Sequence, residues 1–232
     1  FSTLLEGPLS PYDEQRDEQT PAILMLKLNI SNPTNLERTA HVWLKAESLE
    51  NQVLQDLFIL DQKNGNNYIR AKIKLPEGVT SYNIKVVQNA IDLHFSVPSN
   101  QTVSFYISAP FVGDLTDSSR EKLSSLDYST ERQRVISYWR QIVNEFASFD
   151  VPERKFNEMA RSVIPHIRMS TTKDPKSGLF MLPAASFGYQ VFSNESAFQI
   201  IYLDKIGDHR TAASYLETFL NLQGTDPMPG SF

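Results

Sequence analysis

Near Pro110 the apolar pattern of this chain changes period from two to three-and-four, and that change limits the fold more than any other feature. Before it, short runs rich in β-branched and aromatic residues stand between turn signals. They cover Ile23–Ile30, Thr39–Ala46, Val53–Leu60, Tyr68–Leu75, Tyr82–Val87, Ile91–Val97 and Val103–Ile107, separated by breaks such as Asn64-Gly65, Pro76-Glu-Gly78 and Pro98-Ser-Asn100. Runs of this length and spacing predict an antiparallel β-sandwich. Within Tyr68–Leu75, Ile69, Ala71, Ile73 and Leu75 alternate with Arg70, Lys72 and Lys74, which predicts one buried and one wet face.

After the change the apolar residues recur at helical spacing. Val135, Ile136, Trp139, Ile142, Val143 and Phe146 fall on one stripe opposite Arg132, Arg134, Arg140 and Glu145, with Ser129 or Thr130 as the expected cap. A second helix carries Phe156, Met159, Ala160, Val163, Ile164 and Ile167, and Pro165 is expected to kink or interrupt it. A third runs from Asn194 to about Ile206 after Ser193 and stops at Gly207. Asp208 opens a fourth, with Ala212, Leu216, Phe219 and Leu220 as its stripe, so the last two form an αα-hairpin. The expected fold class is α+β in two domains. Residues 1–20 read as a polar loop or tail, 21–112 as the sandwich, 113–150 as a linker-helix region and 151–232 as the start of a helical domain.

Composition narrows the partners. The chain has a formal net charge of -5 and a pI near 5.4, which argues against nucleic acid or an anionic membrane surface. No window approaches the roughly 18 consecutive apolar residues of a membrane span, so a soluble protein is expected, cytoplasmic or secreted. Cysteine is absent, which removes disulfides, thiol nucleophiles and thiolate metal ligands together. His41 and His94 read as partly exposed strand histidines without a second histidine or carboxylate at ligand spacing, and His166 and His209 as too isolated to ligate zinc, so neither a catalytic transition metal nor a cofactor is expected, with an oxygen-ligated calcium left open. No phosphate-cradling glycine motif is present, and Ala184-Ala-Ser-Phe-Gly188 lacks the first glycine of a nucleophile elbow.

The segment Gly178-Leu-Phe-Met-Leu-Pro-Ala-Ala-Ser-Phe-Gly-Tyr-Gln-Val-Phe-Ser-Asn-Glu-Ser196 is an aromatic, small-residue loop that leads into a helix start. Flat aromatic faces beside amide and carboxylate groups suit a hydroxyl-rich ligand such as a sugar. Phe187, Tyr189, Phe192, Asn194 and Glu195 are the candidate contacts, with Tyr189 the preferred stacking residue. Each also has a plainer reading: Glu195 complements the dipole of a first helical turn, Asn194 serves the backbone beside a cap, and the aromatics fill a core.

A sandwich, then a helix carrying Tyr138-Trp139-Arg140, then Val151-Pro152-Glu153 and helical hairpins, resembles the six-hairpin glycosidases, in which a β-sandwich precedes an (α/α)6 toroid. Glucoamylases, maltose phosphorylases and rhamnosidases belong to that superfamily. The likeness is strongest over residues 129–224 and vaguer over 21–110. Leu203-Asp-Lys-Ile-Gly207 and Tyr215–Gln223 are similar to two of its helices, while Asn194-Glu195 stands where the family often has Arg-Asp. The resemblance implies the first helices of a toroid and the N-terminal portion of a glycoside hydrolase acting on an oligo- or polysaccharide, with the remainder of a longer chain as partner. It also implies a general acid beyond Phe232, so no catalytic residue is named. The alternatives are a noncatalytic carbohydrate- or protein-binding module and a polysaccharide lyase.

Overall fold

The computed structural model describes residues 1–5, 21–45, 52–64, 66–79, 81–87, 90–112, 115–147, 150–173, 177–182 and 193–224. The protein is α+β, with antiparallel sheets and, among the described residues, five α-helices. The described residues divide into two compact units, one ending at Val135 and the other beginning at Ile136.

The first unit carries β1 (Ser2–Leu4), β2 (Ala22–Asn32), β3 (Arg38–Lys45), β4 (Gln52–Gln55), β5 (Phe58–Lys63), β6 (Asn66–Lys74), β7 (Tyr82–Val87), β8 (Ala90–Val97), β9 (Gln101–Val112) and β10 (Leu115–Thr116). One sheet runs β1-β2-β9-β6-β5-β4 with β10 beside β6, and the other runs β3-β8-β7. Alternation decides what lies between them. Ile91, Leu93, Phe95 and Val97 of β8 meet Ile59, Ala71, Ile73, Phe105 and Ile107 of the larger sheet in one buried cluster. Phe95 and Phe105 pack edge to face, with ring centroids 5.8 Å apart.

Three expectations for this unit are corrected. The run from Val53 to Leu60 is two strands, because Asp56 and Leu57 take φ of 50° and 64° and close a two-residue hairpin in which Gln55 pairs with Phe58. Residues 2–4 belong to no polar tail: β1 pairs with β2, and buried Thr3 donates its hydroxyl to Glu131 at 2.7 Å and accepts from Arg134 at 2.7 Å. The back of β6 is also less wet than its lysines suggest. There Ile23, Met25, Phe58, Leu60 and Ile69 join Leu115 and Leu123, the latter from α1 (Arg120–Ser125), in a second buried cluster. A register shift pairs Ile59 with Ala71 but Leu60 with Ile69, so Ile69 joins this second cluster while Ala71 and Ile73 stay in the first.

Helix α2 (Tyr128–Glu145) starts earlier than Ser129 or Thr130 would set it. Asp127 accepts from the Thr130 amide and the Thr130 hydroxyl, both at 2.9 Å. These bonds, the backbone one foremost, outweigh a slight loss of solvation and hold the Asp127 carboxyl below its ordinary range. A depressed carboxylate stabilises the fold above its unfolded pKa, and the contribution is lost as pH falls through the lowered value. Asp127→Ala is therefore expected to cost about 0.5–2 kcal/mol at neutral pH, with the difference from wild type shrinking below about pH 4. Urea titrations at both pH values check this, and an unchanged midpoint at neutral pH contradicts the cap.

The second unit contains α3 (Arg154–Ser170), a two-stranded ribbon of β11 (Thr172–Lys173) and β12 (Phe180–Met181), α4 (Ser193–Lys205) and α5 (His209–Leu222). Helix α3 continues through Pro165 without the expected interruption. Thr171 ends it by returning its amide and its hydroxyl to the Ile167 carbonyl. Between α4 and α5, Gly207 at φ 94° turns the chain, and Asp208 caps α5 by accepting from the Thr211 amide at 3.3 Å. The core holds Ile167, Phe180, Leu182, Ile200, Leu203, Ala212 and Tyr215.

Candidate functional site

Of the predicted sugar contacts, Asn194 and Glu195 are solvent-exposed in the first turn of α4. Phe187, Tyr189 and Phe192 lie outside the described residues. The flanks of that loop are set by packing: Phe180 donates its amide to the Thr218 hydroxyl at 3.2 Å, Leu182 is buried, and on the far side Ile200 and Leu203 of α4 enter the core.

Beneath these flanks lies a buried ion pair. Arg168 of α3 bonds to Asp208, and its guanidinium also reaches the Thr211 hydroxyl at 3.0 Å. The same Asp208 that caps α5 thus ties α3 to the α4–α5 hairpin. Tyr202 adds a second tie, donating its hydroxyl to the Ala160 carbonyl at 2.8 Å.

The expected stripe on α5 is corrected by this packing. Thr211, Ala212, Tyr215 and Thr218 face inward, while Leu216 and Leu220 are exposed. On α4, Phe198 is 77% exposed and Ile201 is also open. Phe156 and Met159 of α3, assigned to its apolar face, are likewise exposed. The buried row on α5 runs through small and hydroxyl-bearing residues because Arg168, Asp208 and the Phe180 amide need polar partners there.

In the first unit a cleft of about 390 Å³ is lined by Lys72, Lys74, Tyr106, Ser108, Asp127 and Tyr128, among others. Burial, then the neighbouring Lys74 charge, lowers the Lys72 ammonium from its ordinary range. Lys72 also bonds to Ser124 and sits 4.9 Å over the Phe58 ring, while Asp127 is engaged in capping α2. Among the described residues that line the cleft, the carboxyls are Glu77 and Asp127, the latter held in the α2 cap.

Sequence reading missed the most concentrated chemistry in the first unit. His41 of β3 stands directly opposite His94 of β8, and Asp92 lies two residues before His94 on the same face. Both imidazoles point Nε2 at one carboxylate oxygen, Asp92 Oδ1, at 2.5 Å from His41 and 2.8 Å from His94. The rings lie 3.9 Å apart between centroids, and Trp43 is 5.3 Å from His41. Asp92 is only 4% exposed although it belongs to the polar side of β8, opposite buried Ile91 and Leu93. Its other oxygen lies 3.6 Å from Lys85 Nζ.

Burial works to raise the Asp92 carboxyl, but hydrogen bonds from His41 and His94, and their charge, together win and hold it below the ordinary range. The expectation that these two histidines stand without a second histidine or carboxylate at ligand spacing is therefore overturned. Asp92-x-His94 on a strand was the available signal, since period two places both on one side. Its partner came from a strand 51 residues distant, which local pattern does not reveal. No helix among the described residues is long and apolar enough to cross a membrane.

Comparison with protein-family models, curated proteins and solved structures finds no match for this chain.

Proposed function

We propose that this chain is the N-terminal portion of a carbohydrate-active enzyme, a glycoside hydrolase in which a sandwich precedes a ring of helical hairpins. The observation that carries this reading is the α4–α5 hairpin. It buries one face on α3 and the β11–β12 ribbon yet leaves Phe198, Ile201, Leu216 and Leu220 in water. Helices that are apolar on more than one side belong between neighbours, and in a ring of hairpins further helices of the same polypeptide supply them.

The first turn of α4 then sits at the mouth of such a ring. Glu195 accepts hydrogen bonds from sugar hydroxyls and Asn194 offers both a donor and an acceptor, on a rigid helix whose dipole favours the carboxylate. Asn-Glu lacks the charged fork of an arginine, so hydroxyls rather than acidic groups are the natural guests. Hydrolysis needs two carboxyls about 5–9.5 Å apart across the scissile bond. Glu195 serves as a binding residue in this scheme, and the catalytic pair comes from the remainder of the polypeptide.

The test is hydrolysis of neutral oligosaccharides by the complete polypeptide, compared with its Glu195→Gln variant. Sugar binding measured by calorimetry without turnover would replace the enzyme by a binding module. Cleavage by β-elimination, seen as an unsaturated product absorbing in the ultraviolet, would replace it by a lyase.

A further inference from the structure

We propose that His41, Asp92 and His94 form a binding site for a divalent transition-metal ion, with zinc the best fit. The ligand atoms, two imidazole nitrogens and a carboxylate oxygen, all lie within 4.8 Å of one another. An ion bound at about 2.0–2.2 Å holds its ligands roughly 3–3.5 Å apart. Asp92 Oδ1 now stands 2.5 Å and 2.8 Å from the two nitrogens, so a separation of under about 1 Å, achieved by side-chain rotation alone, admits the ion.

The backbone is already in place. Direct pairing of His41 with His94, and of Trp43 with Asp92, fixes three ligands on one patch of paired strands, which is a more exact support than a loop. Two imidazoles and one carboxylate match the borderline-soft character of zinc, and no thiolate competes, because the chain has no cysteine. Lys85, 3.6 Å from Asp92 Oδ2, keeps the second carboxylate oxygen occupied and orients the first toward the histidines. The His41 side chain is 45% exposed, which leaves an ion open to water on that side. Three protein ligands with an open position distinguish this arrangement from a closed structural site.

The site stands in the first unit and does not depend on the sugar-binding reading. Equilibrium dialysis of the intact chain against zinc chloride is expected to give one ion per chain. Affinity should fall at least tenfold in His41→Gln and in His94→Gln, and hold in the His166→Gln/His209→Gln double variant, which removes the other two histidines. Cobalt(II) in place of zinc should give the intense visible bands of four-coordinate nitrogen and oxygen ligation.

Copper(II) should quench indole emission strongly in the wild type and much less in Trp43→Phe, because Trp43 adjoins His41. The cobalt and copper readouts on Trp43 hold whether or not a histidine variant folds. Absence of zinc binding, binding unchanged in both His41→Gln and His94→Gln, or binding lost with His166 and His209, overturns the proposal.

Discussion

Asp208→Ala should lower the stability of the helical unit by about 3–5 kcal/mol, the usual result of stripping one partner from a buried ion pair. Arg168 and Asp208 are both buried, so deletion of the carboxylate takes a counter-charge from the guanidinium in a low-dielectric interior. The same change removes the cap on α5, which by itself contributes about 0.5–2 kcal/mol. The pair need not be strongly stabilising as a whole. Desolvating two charges consumes most of their attraction, so the double variant Arg168→Met/Asp208→Ala should recover a large part of the loss. Urea denaturation of the four proteins of this cycle gives the coupling. Strict additivity would show that the two side chains do not act together.

Phe105→Ala should cost the sandwich a further and independent 3–5 kcal/mol or so. Phe105 is fully buried on β9, the strand between β2 and β6, and its ring abuts Phe95 of the opposite sheet. Truncation removes the transfer free energy of the ring and leaves a cavity that paired strands on both sides prevent from collapsing. Phe111, on the same strand but 69% exposed, is the matched control. Its replacement by Ala should change stability by no more than about 0.5 kcal/mol. Equal effects at the two positions would contradict their difference in burial.

These two positions also mark how much was legible in the chain. Alternation along β6, and along β8 from Leu93 to Val97, reappears as alternating burial. Pairing did not translate. Asp56-Leu57 closes a hairpin without the usual Asn-Gly or Asp-Gly signal, so β4 and β5 read as one run.

Thr3 looked like part of a polar tail until Glu131 and Arg134, about 130 residues later, gave its hydroxyl partners. The inward face of α5 was disguised for a related reason: Thr211 and Thr218 are polar in sequence but buried against Arg168 and the Phe180 amide. Among the candidate contacts, exposure of Asn194 and Glu195 agrees with a helix-start position that local capping signals do encode. The His41–Asp92–His94 cluster depends on a register across distant strands, which no window of the sequence contains.

Steady-state hydrolysis of a neutral oligosaccharide by the complete polypeptide, with and without Glu195→Gln, tests the central claim most directly. Loss of charged hydrogen bonds of about 1.5–3 kcal/mol to sugar hydroxyls should reduce kcat/KM roughly 10- to 100-fold. Because Glu195 is exposed, the unfolding midpoint should stay nearly unchanged. Wild-type kinetics in the variant of an active enzyme would contradict the assignment of a sugar-binding role to the start of α4.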